Sequence, residues 1–142
     1  MQQTFTANKI FTGTKWLYNH SIVIEDDIIV DVAPTTSIKI AAHQKIYTSI
    51  APAFIDIQIY GGNGMLFSVY QNADALFKLN DYCSSGGALY FCPTVATNSK
   101  TVFYNCIDAV KDYWNKGGKG CIGLHLEGPW INTIKRGAHI ES

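Results

Sequence analysis

Hydrophobic and polar positions change rhythm once along this chain, at Ala51-Pro52. In residues 1–49, β-branched runs such as Ser21-Ile22-Val23-Ile24-Glu25 and Ile28-Ile29-Val30-Asp31-Val32 alternate with tight polar connections, and no helical period is present. Thr12-Gly13-Thr14-Lys15, between Ile10-Phe11 and Trp16-Leu17-Tyr18, reads as a hairpin turn, and Asp26-Asp27 as a second tight connection. Ala33-Pro34-Thr35-Thr36-Ser37 is a loop, after which residues 38–47 have room for one more short strand. The pattern predicts an antiparallel β module of four or five strands over residues 1–49.

From residue 50 onward the pattern alternates strand and helix. Residues 54–60 are a mostly apolar strand, stopped by Gly61-Gly62-Asn63-Gly64. Asn72-Ala73-Asp74 offers an N-cap and an acid in the first turn of a helix whose face is Leu76, Leu79, Tyr82 and Cys83, ended by Gly86-Gly87. Residues 88–92 form a second strand, stopped by Pro93. Thr97-Asn98-Ser99 caps a second helix, predicted to bury Val102, Cys106, Val110 and Trp114, flanked by Phe103, Ile107 and Tyr113. Gly117-Gly118 ends it, and residues 121–126 are a third strand. The order β-α-β-α-β predicts an α/β unit of three parallel strands with right-handed helical crossovers. Their apolar runs predict strands covered on both faces. No strand is followed by G-x-G-x-x-G or a P-loop pattern, and the glycines after Tyr60 read as a loop rather than a phosphate cradle.

The candidate chemistry sits at the end of the third strand, in Gly123-Leu124-His125-Leu126-Glu127-Gly128-Pro129-Trp130. Proline donates no backbone hydrogen bond, so Gly128-Pro129 stops the strand and leaves His125 and Glu127 at its last positions. Two residues apart, they point to one face and Leu126 to the other. In α/β proteins ligands bind beyond the carboxyl ends of the strands, so a histidine and a carboxylate delivered there together suggest chemistry. The plainer alternative is a His and a Glu that only cap neighbouring backbone groups. His20 and His43 are lone histidines, read as surface residues.

Composition narrows the partners. Formal net charge is zero and there is no basic run, which argues against nucleic acid. No apolar run approaches the ~20 residues that cross a bilayer, and the N-terminus lacks a signal-peptide pattern. Cys83, Cys92, Cys106 and Cys121 form no Cys-x-x-Cys pair and lie in apolar contexts, as free thiols in a reducing cytoplasm do.

Three segments carry a family resemblance. Residues 51–62, Ala-Pro-Ala-Phe-Ile-Asp-Ile-Gln-Ile-Tyr-Gly-Gly, resemble the first barrel strand of amidohydrolase-superfamily enzymes, and Pro93-Thr94-Val95-Ala96-Thr97 the end of their second. His125-Leu126-Glu127-Gly128-Pro129-Trp130, followed by Lys135-Arg136-Gly137-Ala138-His139, is similar to the signature of N-acetylglucosamine-6-phosphate deacetylases. The resemblance implies a (β/α)₈ barrel preceded by a small β-sandwich, with residues 1–49 belonging to the sandwich and 50–142 to the barrel. It implies hydrolysis of the acetamide of N-acetylglucosamine 6-phosphate by a water activated on a divalent metal, usually zinc. Glu127 matches the metal-binding glutamate, and Ala138 and His139 the substrate-contacting pair. Gln58 and Tyr60 fall where many amidohydrolases carry a His-x-His metal pair, which suits single-metal members. Together with His125, they are expected near the site.

The family's two histidine ligands and its catalytic aspartate are expected beyond Ser142, so no catalytic residue is assigned within this chain. A complete barrel typically takes ~250 residues, and the chain is therefore expected to be the N-terminal part of a cytoplasmic, homo-oligomeric enzyme and inactive alone. Two other readings stay open. One is a self-standing α/β module holding an anionic sugar on Lys135-Arg136. The other is a fragment of an amidohydrolase acting on another amide.

Overall fold

The computed structural model describes residues 1–38 and 45–140, which fall into two compact units, Met1–Pro52 and Ala53–Ser142. The first is a single four-stranded sheet built from β1 (Gln2–Phe11), β2 (Trp16–Glu25), β3 (Ile28–Pro34) and β4 (Ile46–Ile50), in the order β3-β2-β1-β4. Both predicted turns are present. Asp26 and Asp27 sit at φ 48° and 66°, the paired left-handed conformation whose twist matches that of a hairpin. Thr6 and Ser21 share a buried 2.8 Å hydroxyl hydrogen bond across β1 and β2, close to a small core of Ala7, Ile10 and Ile22.

Two expectations change here. The sheet is mixed rather than antiparallel, because β4 lies parallel to β1 on the side away from β2. Residue-level alternation encodes that a segment is a strand, not the edge on which it docks. Among its described residues this unit holds one sheet, whereas a sandwich requires two. His20 is half-buried and its Nδ1 lies 2.6 Å from the Tyr18 carbonyl, so it serves its own strand. His43 and most of the segment before β4 lie outside the described residues.

The second unit has a three-stranded parallel sheet of β5 (Phe54–Ile59), β8 (Ala88–Ala96) and β9 (His125–Glu127), in the order β5-β8-β9. Helix α1 (Ala73–Ser85) links the first pair and α2 (Lys100–Asn115) the second. The Asn72 side chain accepts from the Ala75 amide at 2.9 Å, and the Ser99 hydroxyl from the Val102 amide at 3.3 Å, so both helices start on their predicted caps. Leu76, Leu79 and Cys83 are buried against Phe91 and Val95 of β8, whereas Tyr82 is exposed. On α2 the buried stripe is Phe103, Cys106, Ala109, Val110 and Tyr113. The predicted stripe through Val102 and Trp114 is thus rotated by about one residue. Tyr113 is fully buried and its hydroxyl donates to the Lys119 carbonyl. Trp114 is half-exposed, with its indole N–H donating to the Cys121 carbonyl at 2.9 Å. The smaller phenol is enclosed by the core, whereas the bulkier indole stays at its edge with its N–H on a partner.

Three further readings are corrected. The glycine segment after Tyr60 is a short hairpin, β6 (Gly61–Gly62) with β7 (Met65–Leu66), turned by Asn63 and Gly64 at φ 52° and 77°. Pro93 does not end β8, which runs on to Ala96. Pro93 pairs with Ile59 beside a register shift in β5, the kind of irregular position where a missing donor is tolerated. The apolar run 121–126 is not one strand: Cys121 makes an isolated bridge to Phe91, and regular pairing resumes only at His125. The strands are also not covered on both faces. Phe54, Ile55 and Ile57 of the edge strand β5 are 70%, 57% and 66% exposed.

The four cysteines are free, and all but the half-buried Cys92 are buried. Burial pushes the thiols of Cys106 and Cys121 up to about 11 from 9.0. Two expected results follow. At pH 8, alkylation of these two by iodoacetamide in the folded protein runs roughly a hundredfold slower than in urea, since only the thiolate attacks. Because the folded value lies above the unfolded one, their contribution to stability is complete below pH 9 and fades as pH rises toward 11, read as a falling urea midpoint. No helix among the described residues is long and apolar enough to cross a membrane.

Candidate active site at the ends of the parallel strands

Two irregularities aim the candidate side chains. In β5, Asp56 pairs with Phe91 and Ile59 with Pro93, so β5 advances three residues while β8 advances two. In the third strand, the chain advances four residues from Cys121 to His125 while β8 advances three, from Phe91 to Thr94. One extra residue reverses the side to which all later residues point. Cys121 is therefore in the core with the helices, while His125 and Glu127, of the same parity, face the other side. Ile59 likewise packs against the helix-side core, which leaves Gln58 and Tyr60 on the face with Glu127.

The side chains then converge. Gln58 Nε2 donates to the Tyr60 hydroxyl at 2.9 Å, and that hydroxyl donates to Glu127 Oε2. Donating to a carboxylate raises the Tyr60 phenol above its ordinary value of 10.0. Glu127 Oε1 faces His139 Nε2 at 3.7 Å, and the Glu127 and His139 side chains keep 28% and 18% of their surface exposed. His125 Nδ1 lies 2.7 Å from the Ile57 carbonyl, which can only accept. Nδ1 is thus the protonated nitrogen, and Nε2 remains a free acceptor.

The segment beyond β9 is held as a compact turn. Gly128 sits at φ +79°, and a Cβ there would lie 2.2 Å from the Ile131 side chain, so only glycine fits. His139 is clamped locally. Its amide donates to the Arg136 carbonyl at 3.1 Å, and Arg136 Nη1 donates to the His139 carbonyl at 2.6 Å. A pocket of about 50 Å³ is lined by Thr97, Gly128, Arg136 and His139 among others. Ala138 is exposed on the same turn, and Lys135 points to solvent. A much larger apolar groove, about 610 Å³, runs along Ile10, Ile22, Ile24 and Ile50 of the first unit, but it is lined by no carboxylate, imidazole or thiol and offers no chemistry.

Of the residues expected at the site, Gln58, Tyr60, Glu127 and His139 form one chain of contacts, whereas His125 bonds the Ile57 carbonyl and Ala138 lies exposed on the turn. By sequence alone Thr97 has no role in the site and falls in a helix cap and in the segment that resembles the end of the second barrel strand. Ser99 is the residue that caps α2. The Thr97 hydroxyl instead reaches across to the Gly128 carbonyl at 2.9 Å and to His139 Nδ1 at 3.0 Å. The available signal was its place at the end of the second strand, beyond which α/β sites are built.

The chain is similar to several known proteins. The NagA composite domain model matches residues 4–49. An N-acetylglucosamine-6-phosphate deacetylase from Caenorhabditis elegans is 30% identical over 132 residues, covering 89% of this chain and 31% of the relative. An N-acetylgalactosamine-6-phosphate deacetylase from Escherichia coli O157:H7 is 28% identical over 142 residues, covering 98% of this chain and 36% of the relative. The crystal structure of N-acetyl-D-glucosamine-6-phosphate deacetylase from Mycobacterium smegmatis superposes with a TM-score of 0.82 at 25% identity, over 97% of this chain and 36% of that one. The chain thus spans about a third of the length of these relatives. Over that third, both its sequence and its fold are similar to those of N-acetylglucosamine-6-phosphate deacetylases.

Proposed function

We propose that this chain is the N-terminal part of a metal-dependent hydrolase that converts N-acetylglucosamine 6-phosphate to glucosamine 6-phosphate and acetate. In this reading β5, β8 and β9 are the first three strands of a (β/α)₈ barrel, and the first unit is part of a small β domain. The observation that carries the reading is the meeting of Tyr60, Glu127 and His139 at the carboxyl ends of parallel strands.

Glu127 is proposed as the metal-binding carboxylate. Its chemistry suits a divalent cation such as zinc: a hard oxygen donor, partly exposed, with one oxygen fixed by Tyr60 and the other open toward His139. The described residues contain no group of three His, Cys, Asp or Glu placed to hold a metal, so they contribute one ligand rather than a coordination shell. A bound metal supplies Lewis acidity, lowering the pKa of a water and polarising the amide carbonyl. Gln58 and Tyr60 orient the carboxylate, and the tight turn at Gly128 keeps it at the strand end. Ala138 and His139 are proposed to contact the sugar phosphate. In the overall reaction water oxygen bonds to the acetyl carbon, the C–N bond breaks, and the amine leaves with a proton. Four free cysteines among the described residues suit a reducing compartment, and the cytoplasm is the proposed location.

The E. coli relative named for the galactosamine epimer makes N-acetylgalactosamine 6-phosphate the second substrate to test. The full-length protein, stripped by chelator and reloaded with zinc, is expected to release free amine and acetate from one or both 6-phosphates. It should be far slower on unphosphorylated N-acetylglucosamine. Absence of amine release from both phosphates with zinc and other divalent metals would sink the reading.

A further inference from the structure

The Thr97 hydroxyl has three neighbours and one proton. Gly128 O lies at 2.9 Å, Glu127 O at 3.5 Å and His139 Nδ1 at 3.0 Å. The carbonyls can only accept, whereas the imidazole nitrogen can donate or accept. Were the proton given to Nδ1, the hydroxyl oxygen would sit 2.9 Å from the Gly128 carbonyl with no hydrogen between them, lone pair against lone pair. Giving it to Gly128 O removes that repulsion, and this carbonyl has a second lone pair for the Ile131 amide at 3.2 Å. His139 Nδ1 must then be the donor to Thr97. The clamp between Arg136 and the His139 backbone holds the ring in place for this bond.

With Nδ1 protonated on a neutral ring, Nε2 carries a lone pair and faces Glu127 Oε1, also an acceptor, at 3.7 Å. That notch attracts a hydrogen-bond donor and repels an anionic oxygen. We propose that Thr97 is a positioning residue that sets the His139 tautomer, so that Nε2 accepts a hydrogen bond from a neutral donor of the bound sugar, a hydroxyl or amide N–H, and does not bind its phosphate. The sugar as occupant rests on the deacetylase reading; the tautomer does not.

The test uses the full-length protein with ¹⁵N-labelled histidine, at a pH where imidazoles are neutral. Two-bond ¹⁵N–¹H correlations report which ring nitrogen of His139 carries the proton. The wild type and Thr97→Ser are expected in the Nδ1–H form. Thr97→Val, which has the same shape but no hydroxyl, should shift toward Nε2–H, because that proton then points at Glu127. In kinetics, Thr97→Val should raise KM roughly tenfold with kcat nearly unchanged, and Thr97→Ser should match the wild type. A wild-type ring in the Nε2–H form would overturn the proposal. So would a Thr97→Val ring still in the Nδ1–H form, or a Thr97→Ser variant as impaired as Thr97→Val, which marks packing alone. If Thr97→Val does not fold, the wild-type and Thr97→Ser tautomers still decide. An Nδ1–H ring in a protein that hydrolyses neither 6-phosphate would refute the deacetylase reading and leave the tautomer assignment standing.

Discussion

Glu127→Ala in the full-length protein should lose bound metal and turnover together. The carboxylate has one oxygen held by Tyr60 and the other open, so the alanine removes a ligand without disturbing a packed core. Loss of a ligand leaves the metal weakly held and the attacking water unactivated. The expected drop in kcat is at least about a thousandfold, on the order of 4 kcal/mol in the barrier. His139→Ala should behave differently, with metal retained and KM raised, because its ring faces the carboxylate from 3.7 Å and is proposed to contact substrate. Metal content and turnover measured on both variants separate the roles. Full metal occupancy in Glu127→Ala, or metal loss from His139→Ala, would reverse the assignment.

Residues 1–142 expressed alone should self-associate and hydrolyse no N-acetylglucosamine 6-phosphate, even with zinc. The physical ground is the apolar surface of the second unit. β5 is an edge strand with Phe54, Ile55 and Ile57 more than half exposed, and Ile122 and Trp130 are 53% and 90% exposed. A flat apolar edge with unpaired backbone groups templates pairing with other chains, and apolar patches larger than a few hundred Å² promote association. With one proposed ligand and no three-residue metal group among the described residues, added zinc has no complete site to enter. Light scattering, urea unfolding and an amine-release assay on the purified chain give the result. A monomer with a sharp two-state transition would favour a self-standing binding module, and zinc-dependent turnover would show that this chain holds a sufficient site.

Several features were legible without coordinates because a few neighbouring residues determine them. Asp26-Asp27 turns a hairpin since both residues tolerate left-handed backbone. Asn72 and Ser99 cap α1 and α2 by their own side-chain oxygens. The alternation of strand and helix after Pro52 follows from the change in hydrophobic period, and parallel pairing of β5, β8 and β9 follows from the crossovers. The pairing of His125 and Glu127 at a strand end was likewise readable from the Gly128-Pro129 stop.

Tertiary structure decided the rest. The parallel docking of β4 on β1 depends on which sheet edge is free, a matter of contacts some forty residues apart in sequence. Pro93 stays inside β8 because the strand beside it is irregular there. The buried stripe of α2 runs through Tyr113 rather than Trp114, whose indole N–H donates to the Cys121 carbonyl at the edge of the core. Tyr60 and Thr97, the two hydroxyls that address Glu127 and His139, lie 67 and 42 residues from them, and no local pattern announces such partners. Above all, the extra residues in β5 and before β9 choose the face on which Gln58, Tyr60, His125 and Glu127 appear. A strand's own sequence fixes only that alternate residues share a face. Which face that is depends on register against its neighbours, and register is settled by the packing of the whole sheet against its helices.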